Sequence, residues 1–161
     1  MTLSVLIVNW NTRDLLRACL QSLRRHPPAE PMEVWVLDNA SRDGSAEMVQ
    51  EEFPEVHLIA SDWNLGYAAG NNRLIQQAQG EYLLLLNPDT EVTETALDTA
   101  VRFMQQHPEV GALGAKLAGA GGAGGTVIFL TFQPERTLPA LREVAEKIIP
   151  LAPNAPGLQI D

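Results

Sequence analysis

Short apolar runs alternate with amphipathic stretches over the first two-thirds of the chain. The runs fall at residues 3–8, 33–37, 56–60, 82–86 and 110–114. They are rich in Val, Ile and Leu without strict polar alternation, the pattern of strands covered on both faces. Between them the apolar positions recur at helical spacing. In "TRDLLRACLQSLRRH" Leu16, Cys19, Leu20 and Leu23 share one face, and Asn11 with Asp14 reads as a capping pair. "SAEMVQEEF" follows Gly44, with Ser45 as its expected N-cap. "GYAAGNNRLIQQAQG" sets Leu74, Ile75 and Ala78 on one side and ends at Gly80, a suitable residue beyond a helix end. "TETALDTAVRFMQQHP" carries Leu97, Val101 and Met104, with Thr93 as cap and Pro108 past its end.

Strand–helix units of this length predict an α/β fold, a mostly parallel sheet flanked by helices with right-handed crossovers. The pattern changes after Leu117. "AGAGGAGG" reads as a flexible connection, "TVIFLTF" as one more strand, and "TLPALREVAEKIIP" as a short amphipathic helix with Leu141, Val144 and Ile148 on one face. The expected organisation is an α/β domain over 1–117 and a Gly-rich connection with these elements over 118–161. A sheet cut before its last strands exposes an edge, so dimerisation or aggregation through the C-terminal region is expected.

Charge narrows the partners. The net formal charge is −9, and between Glu30 and Asp62 nine carboxylates face one cation, Arg42. Such a surface repels a polyphosphate backbone, which argues against nucleic acid. A small anion remains acceptable if a divalent cation or backbone N–H groups shield it. Cys19 is the sole cysteine, so an internal disulfide and a cysteine-rich zinc site are excluded. The N-terminus lacks a signal-peptide pattern, and no stretch reaches the ~18 apolar residues of a membrane span. A cytoplasmic location is expected.

In sheets of this kind, ligands bind outside the carboxyl ends of the strands. After the first strand stands "NWNTRD", with neither a G-x-G-x-x-G nor a P-loop, so common dinucleotide and P-loop chemistry lose support. Trp10 and Asn11 there can stack on and hydrogen-bond a nucleobase, although Asn11 also serves as a plain helix cap. Asp38, ending the second strand, can accept from a base or ribose or simply open an Asx-turn. In "SDWNLGYAAGNN", Gly66 and Gly70 allow close backbone approach, and Asn64, Asn71 and Asn72 lie near a helix N-terminus that suits a phosphate. An ordinary Gly/Asn loop is the alternative.

The fourth run enters "NPDTEV". Continued extension would point Asn87, Asp89 and Glu91 the same way. That is a partial oxygen shell for Mg²⁺ or Mn²⁺, which keep waters and take remaining ligands from substrate phosphates. The alternative is an Asn-Pro-Asp turn without a ligand.

Together "VLIVNWNTRDLLRACLQSL", "VWVLDNASRDGS", "NLGYAAGNNRLIQQAQGEYLLLLNPDTEV" and "VGALGAKL" resemble the inverting glycosyltransferases of family two, particularly the rhamnosyltransferase-like branch. The resemblance covers residues 3–117 in order and spacing. It implies a GT-A fold whose C-terminal acceptor half is missing or altered. It also implies a nucleoside-diphosphate sugar donor with UDP or dTDP, a divalent cation, and inverting transfer to a glycan or lipid-linked acceptor, as in cell-wall polysaccharide synthesis. Such an acceptor implies work at the inner face of the membrane.

Position by position, the resemblance puts Trp10, Asn11 and Asp38 at the nucleobase and ribose. Asn64, Gly66, Gly70, Asn71 and Asn72 lie along the nucleotide sugar. By the same resemblance Asp89 would be the final acid of the family's Asp-x-Asp motif and the metal ligand, and Asn87 stands where the first acid of that motif usually falls. No general base is recognisable. Glu135 and Glu143 qualify by position only and read more naturally as solvated surface glutamates. Two other readings are a non-catalytic nucleotide-binding or assembly module of the same fold, and a receiver-like or nucleotidyl-transferring domain. The latter lacks the acid pair or basic glycine loop it would need after the first strand.

Overall fold

Every residue of β1 (Leu3–Asn9) is buried, because the strand sits between two apolar layers. The structure is a computed structural model that describes residues 2–108, 110–116 and 126–131. The other strands are β2 (Met32–Asp38), β3 (His57–Ala60), β4 (Tyr82–Leu85), β5 (Ala112–Lys116) and β6 (Thr126–Thr131). The helices are α1 (Arg13–Arg25), α2 (Ser45–Glu52), α3 (Tyr67–Ile75) and α4 (Ala96–Gln106). The sheet order is β3-β2-β1-β4-β6-β5. The first four strands are parallel. β6 runs antiparallel to both neighbours and separates β5 from β4. The apolar run "TVIFLTF" is thus an inner strand, and the run near residue 112 forms an edge.

Side-chain alternation divides the core in two. Leu3, Val5 and Ile7 of β1 pack with Leu16, Leu20, Met48, Leu97 and Val101 from α1, α2 and α4. Leu6 and Val8 point to the opposite face, where Leu37, Leu83 and Leu74 of α3 meet them. This explains runs with no polar alternation: neither face of β1 or β4 meets water. α3 lies so close that a Cβ at Gly70 would come within 3.0 Å of Val8 Cγ1. Among the described residues, no helix is long and apolar enough to cross a membrane.

The helix ends differ from those read in sequence. Thr12, not Asn11, caps α1, and the Arg13 N–H is satisfied by Asp43 Oδ2 at 2.8 Å. Asn11 Oδ1 instead accepts the Arg42 N–H at 2.7 Å, while Asp14 pairs with Arg13 and Arg17. Gly44 (φ 81°) precedes α2, and Ser45 is its first residue, receiving bonds from no cap of its own but donating N–H to Asp43. Thr95 (φ 71°), not Thr93, precedes α4; Thr93 contributes its carbonyl to the Ala96 N–H. At α1 the cause is tertiary, because a carboxylate from another loop reaches the orphan N–H; at α2 and α4 the acceptors, Asp43 and the Thr93 carbonyl, are local, two and three residues before the N–H they take. The predicted helix in "TLPALREVAEKIIP", the Gly-rich connection and the tail lie outside the described residues.

Gly80 ends no helix, since α3 stops at Ile75. A Cβ there would sit 2.6 Å from the Ser4 backbone nitrogen, so only glycine fits. Its N–H donates to Ser4 Oγ at 2.8 Å, and Ser4 Oγ donates onward to Glu33 Oε1. The Gln79 N–H reaches the same carboxylate oxygen at 2.7 Å. This buried lock ties the starts of β1, β2 and β4 together, at the sheet edge opposite the loops described next. Burial pushes Glu33 up, but the bonds from Ser4 and Gln79 outweigh it and hold the carboxyl below the ordinary glutamate value.

A depressed folded value means that Glu33 contributes stability above its unfolded pKa of about 4.3, and that the contribution disappears as pH falls through the folded value. Glu33→Gln should cost about 1–3 kcal/mol at pH 7, because buried donors lose a charged acceptor. It should also flatten the fall in stability below pH ~4.3. Urea titrations of both proteins from neutral to acid pH measure this, and equal slopes would refute it. Gly80→Ala should destabilise through the contact with Ser4, which the same titrations would report.

Candidate functional site

The carboxyl ends of β1, β2 and β3 carry loops fixed by side chains that are themselves buried. Asn9 and Asp38 face each other in register, and Asn9 Nδ2 donates to Asp38 Oδ1 at 2.9 Å. The second Asp38 oxygen accepts the Ser41 N–H at 2.9 Å. Ser41 Oγ in turn accepts from Asn9 Nδ2 (3.2 Å) and from the Asn11 N–H (2.9 Å). Asn9 Oδ1 takes the Thr12 hydroxyl at 2.6 Å. Asn11 (φ 52°) and Ala40 (φ 60°) hold left-handed backbone, which this network compensates.

Asn39 extends the network to the third loop. Its N–H donates to Asn9 O, its Oδ1 accepts the Leu65 N–H at 2.8 Å, and its Nδ2 donates to Gly66 O at 3.3 Å. Ser61 Oγ donates to Trp63 O at 2.7 Å, and Asn64 Oδ1 accepts the Gly66 N–H at 2.8 Å. The three loops enclose an open cleft of about 700 Å³. Trp10 and Asn11 line it from the first loop, residues 40–42 from the second and residues 61–64 from the third. Trp10 is 58% exposed and Trp63 64% exposed.

Of the residues singled out in sequence, Trp10, Asn11 and Asn64 line this cleft. Asp38 lies beneath the cleft, 3% exposed, with both oxygens engaged. Gly66 (φ 80°) opens α3 with free space around its Cα. Gly70 approaches Val8 and Leu37. Asn71 is buried and bonds Tyr67 O, and Asn72 is half-buried within α3. Desolvation raises the Tyr67 hydroxyl pKa, against the opposing bond from Asn71. Asn9, Asn39, Ser41 and Trp63 were not assigned from sequence. A tryptophan in a polar loop was the available signal for the last.

β4 does not continue extended past Leu85. The Thr90 N–H bonds Asn87 O at 3.1 Å with Pro88 at the second position, a β-turn. The alternation that would align Asn87, Asp89 and Glu91 is therefore replaced by a turn. Proline's fixed φ favours that turn over further strand. Glu91 pairs with Arg25 at 3.5 Å. Asp89 is exposed, and its carboxylate has no hydrogen bond or ion pair among the described residues. Beside it, Thr90 Oγ1 is buried and has no hydrogen-bond partner among the described residues. Among the described residues, no group of three His, Cys, Asp or Glu side chains forms a metal cage. Cys19 lies below the turn, its thiol pushed up to about 12 by burial and then by the charges of Asp89 and Glu91. It is a neutral core residue rather than a nucleophile.

A family model described as glycosyl transferase family 2 matches residues 4–143, past Leu117 and through β6. The O-antigen biosynthesis protein RfbC of Myxococcus xanthus is 33% identical over 116 residues, covering 71% of this chain and 9% of that protein. The crystal structure of S. aureus TarS 1-349 in complex with UDP-GlcNAc is similar at a TM-score of 0.60 and 25% identity, covering 70% of this chain and 33% of that one. The mannosyltransferase PcManGT from Pyrobaculum calidifontis, in complex with GDP-Man and Mn²⁺, is similar in fold at a TM-score of 0.68 and 22% identity, covering 90% and 46%. The chain spans less than half the length of each of these proteins. A match over nearly the whole chain, carried on a mostly parallel sheet with polar loops at one edge, makes this a member of glycosyl transferase family 2 with the GT-A fold.

Proposed function

We propose that this chain binds the nucleoside-diphosphate sugar donor, a UDP- or dTDP-sugar, of an inverting glycosyltransferase. The observation that carries the reading is the cleft at the ends of β1, β2 and β3: exposed indole faces on backbone that buried side chains hold fixed. A planar base stacks on Trp10, and the amides of Asn11 and Asn64 supply donors and acceptors for its edge. Asp38 acts from below. Each of its oxygens takes one bond from the protein, which leaves further acceptor capacity for a base or ribose hydroxyl that reaches it. The sugar diphosphate then runs from Gly66, whose backbone is open, toward the turn at the end of β4. Asn71 and Asn72 influence it through the placement of α3 rather than by an exposed face. The complex of TarS with UDP-GlcNAc supports a uridine donor.

The residues at Asn87–Thr90 fit a divalent cation, Mg²⁺ or Mn²⁺. Asp89 offers an exposed carboxylate and Thr90 Oγ1 a buried oxygen, neither with a hydrogen bond among the described residues, and Asn87 offers a half-buried amide. Such ions keep several waters and complete their shell on substrate phosphates, so a full protein cage is not required. The cation supplies charge neutralisation to the diphosphate leaving group. The chain's own groups orient the donor, which leaves one face of the anomeric carbon for an acceptor hydroxyl and gives inversion. The acceptor in this reading is a glycan or lipid-linked saccharide of cell-envelope polysaccharide synthesis, met at the inner membrane face, and the O-antigen role in RfbC's name supports that class. The positional base candidates Glu135 and Glu143 lie outside the described residues.

Calorimetry with UDP and dTDP, each with and without Mn²⁺, tests the reading. Binding should strengthen with Mn²⁺, and Asp89→Ala should remove that increment without weakening the metal-free affinity, since it also removes a carboxylate that repels a bare diphosphate. No binding of either nucleotide, or binding indifferent to Asp89→Ala, would sink it. Asn39→Ala should weaken UDP by up to about thirtyfold by loosening the third loop, since one net hydrogen bond is worth about 1 kcal/mol, the variant loses two, and each 1.4 kcal/mol is tenfold. Unchanged affinity would show that the network does not shape the cleft.

A further inference from the structure

Trp63 has no place in the sequence reading, yet it is the more exposed of the two indoles in the cleft. Leaving so much apolar ring in water forgoes burial worth about 25 cal/mol per Å². The backbone around it is nevertheless tightly fixed. Ser61 Oγ holds its carbonyl, Asn39 holds Leu65 N and Gly66 O, and Asn64 holds Gly66 N. Trp10 is in the same position: Asn9 precedes it, bonded to Asp38 and Ser41, and Asn11 follows it, bonded to Ser41 and Arg42. Rigid backbone under a free aromatic side chain is an arrangement ready for a ligand, because little order remains to be imposed on binding.

The two tryptophans leave the sheet on either side of one strand. β1 and β3 flank β2, so their ends are two strand spacings apart, about 10 Å. Both side chains line the one cleft between these strand ends, so a planar ring entering it can meet an indole on either side. Trp35, the remaining tryptophan, is stacked on His57 with ring centroids 4.4 Å apart and does not line the cleft. We propose that Trp63 is a second base-stacking wall, so that the donor's nucleobase is clamped between the indoles of Trp10 and Trp63.

The proposal deepens the nucleotide-sugar reading and rests on it. It has a consequence that reading lacks. Stacking uses the face every base possesses, so Trp63 contributes affinity without discriminating bases. Discrimination then falls to the polar edge of the cleft, where Arg42 offers a guanidinium and Asp62 a carboxylate.

Calorimetry on the full chain with UDP, GDP and pyrophosphate, each with Mn²⁺, separates the possibilities. Trp63→Ala should weaken UDP and GDP by a similar factor, about ten- to hundredfold. It should leave pyrophosphate unchanged, and Trp63→Phe should recover most of the loss. The exposed position predicts an unaltered melting temperature for both variants. In a Trp10→Phe, Trp35→Phe background, the fluorescence of Trp63 should be quenched by UDP and not by pyrophosphate. If the native chain binds UDP but Trp63→Ala binds it equally well, the clamp is wrong and the donor reading stands. An equal loss for pyrophosphate would likewise overturn the clamp, by making Trp63 structural. If the native chain binds no nucleotide, both fall together.

Discussion

The hydrogen bond from Asn9 to Asp38 is the contact on which the rest of the loop edge depends. Two strands buried on both faces end in register, and at that end an amide meets a carboxylate that is almost wholly out of water. A buried carboxylate is costly unless its oxygens are satisfied, and here each has one donor, Asn9 Nδ2 and the Ser41 N–H. Satisfying Asp38 fixes Ser41, Ser41 fixes the backbone after Trp10, and the neighbouring Asn39 fixes the backbone after Trp63. Three loops distant in sequence are thereby set by one buried polar cluster. An apolar pair in the same place would pack the strands equally well but leave the loops without a reference point.

The same molecule carries a second buried carboxylate at the other end of the strands. Glu33 collects Ser4 and Gln79 where Asp38 collects Asn9 and Ser41. Both acids sit on β2, one near each end, and both cross-link it to β1. The chemistry differs in purpose. The Glu33 cluster closes on Gly80, whose missing Cβ lets the chain entering β4 touch β1. The Asp38 cluster opens outward, onto a cleft. A parallel sheet needs its crossovers anchored at both ends, and ligands occupy only the carboxyl edge.

The fold was largely legible because doubly covered strands leave a strong mark: apolar runs with no alternation, spaced by helices with one apolar face. β1, β2 and β4 and the apolar faces of α1 and α4 follow from that mark alone. What sequence could not supply was any contact between distant residues. The caps assigned to Asn11, Ser45 and Thr93 obeyed local rules, but Asp43 reaches across from another loop to the start of α1, and no local rule contains that contact. Gly80 has the signature of a helix end and is a close-approach residue instead, a distinction visible only once Ser4 stands beside it. The antiparallel entry of β6 between β4 and β5 is equally non-local. At the site, strand-end polar residues pointed to the correct edge of the sheet. Alternation past Leu86 failed because Pro88 favours a turn, so Asn87 and Asp89 owe their positions to turn geometry.

An anionic ligand on a chain of net charge −9 must still be reconciled with electrostatics. Long-range attraction cannot bring a nucleoside diphosphate here; beyond about 10 Å the field is screened at ordinary salt, and within that distance the acidic surface is repulsive. The ion pairs resolve part of this. Glu52, Glu55 and Glu91 are neutralised by Arg17, Arg24 and Arg25 on α1, away from the cleft. Arg42 lines the cleft, and its side chain has no ion pair among the described residues. The carboxylates at the strand ends then divide by state: Asp38 is internally satisfied, and Asp89 has no hydrogen bond or ion pair among the described residues. A free carboxylate beside a phosphate site is unfavourable unless a cation lies between them. On electrostatic grounds, Asp89 and a metal-free diphosphate are therefore incompatible neighbours, whereas Asp89, a divalent cation and a diphosphate form a locally balanced set.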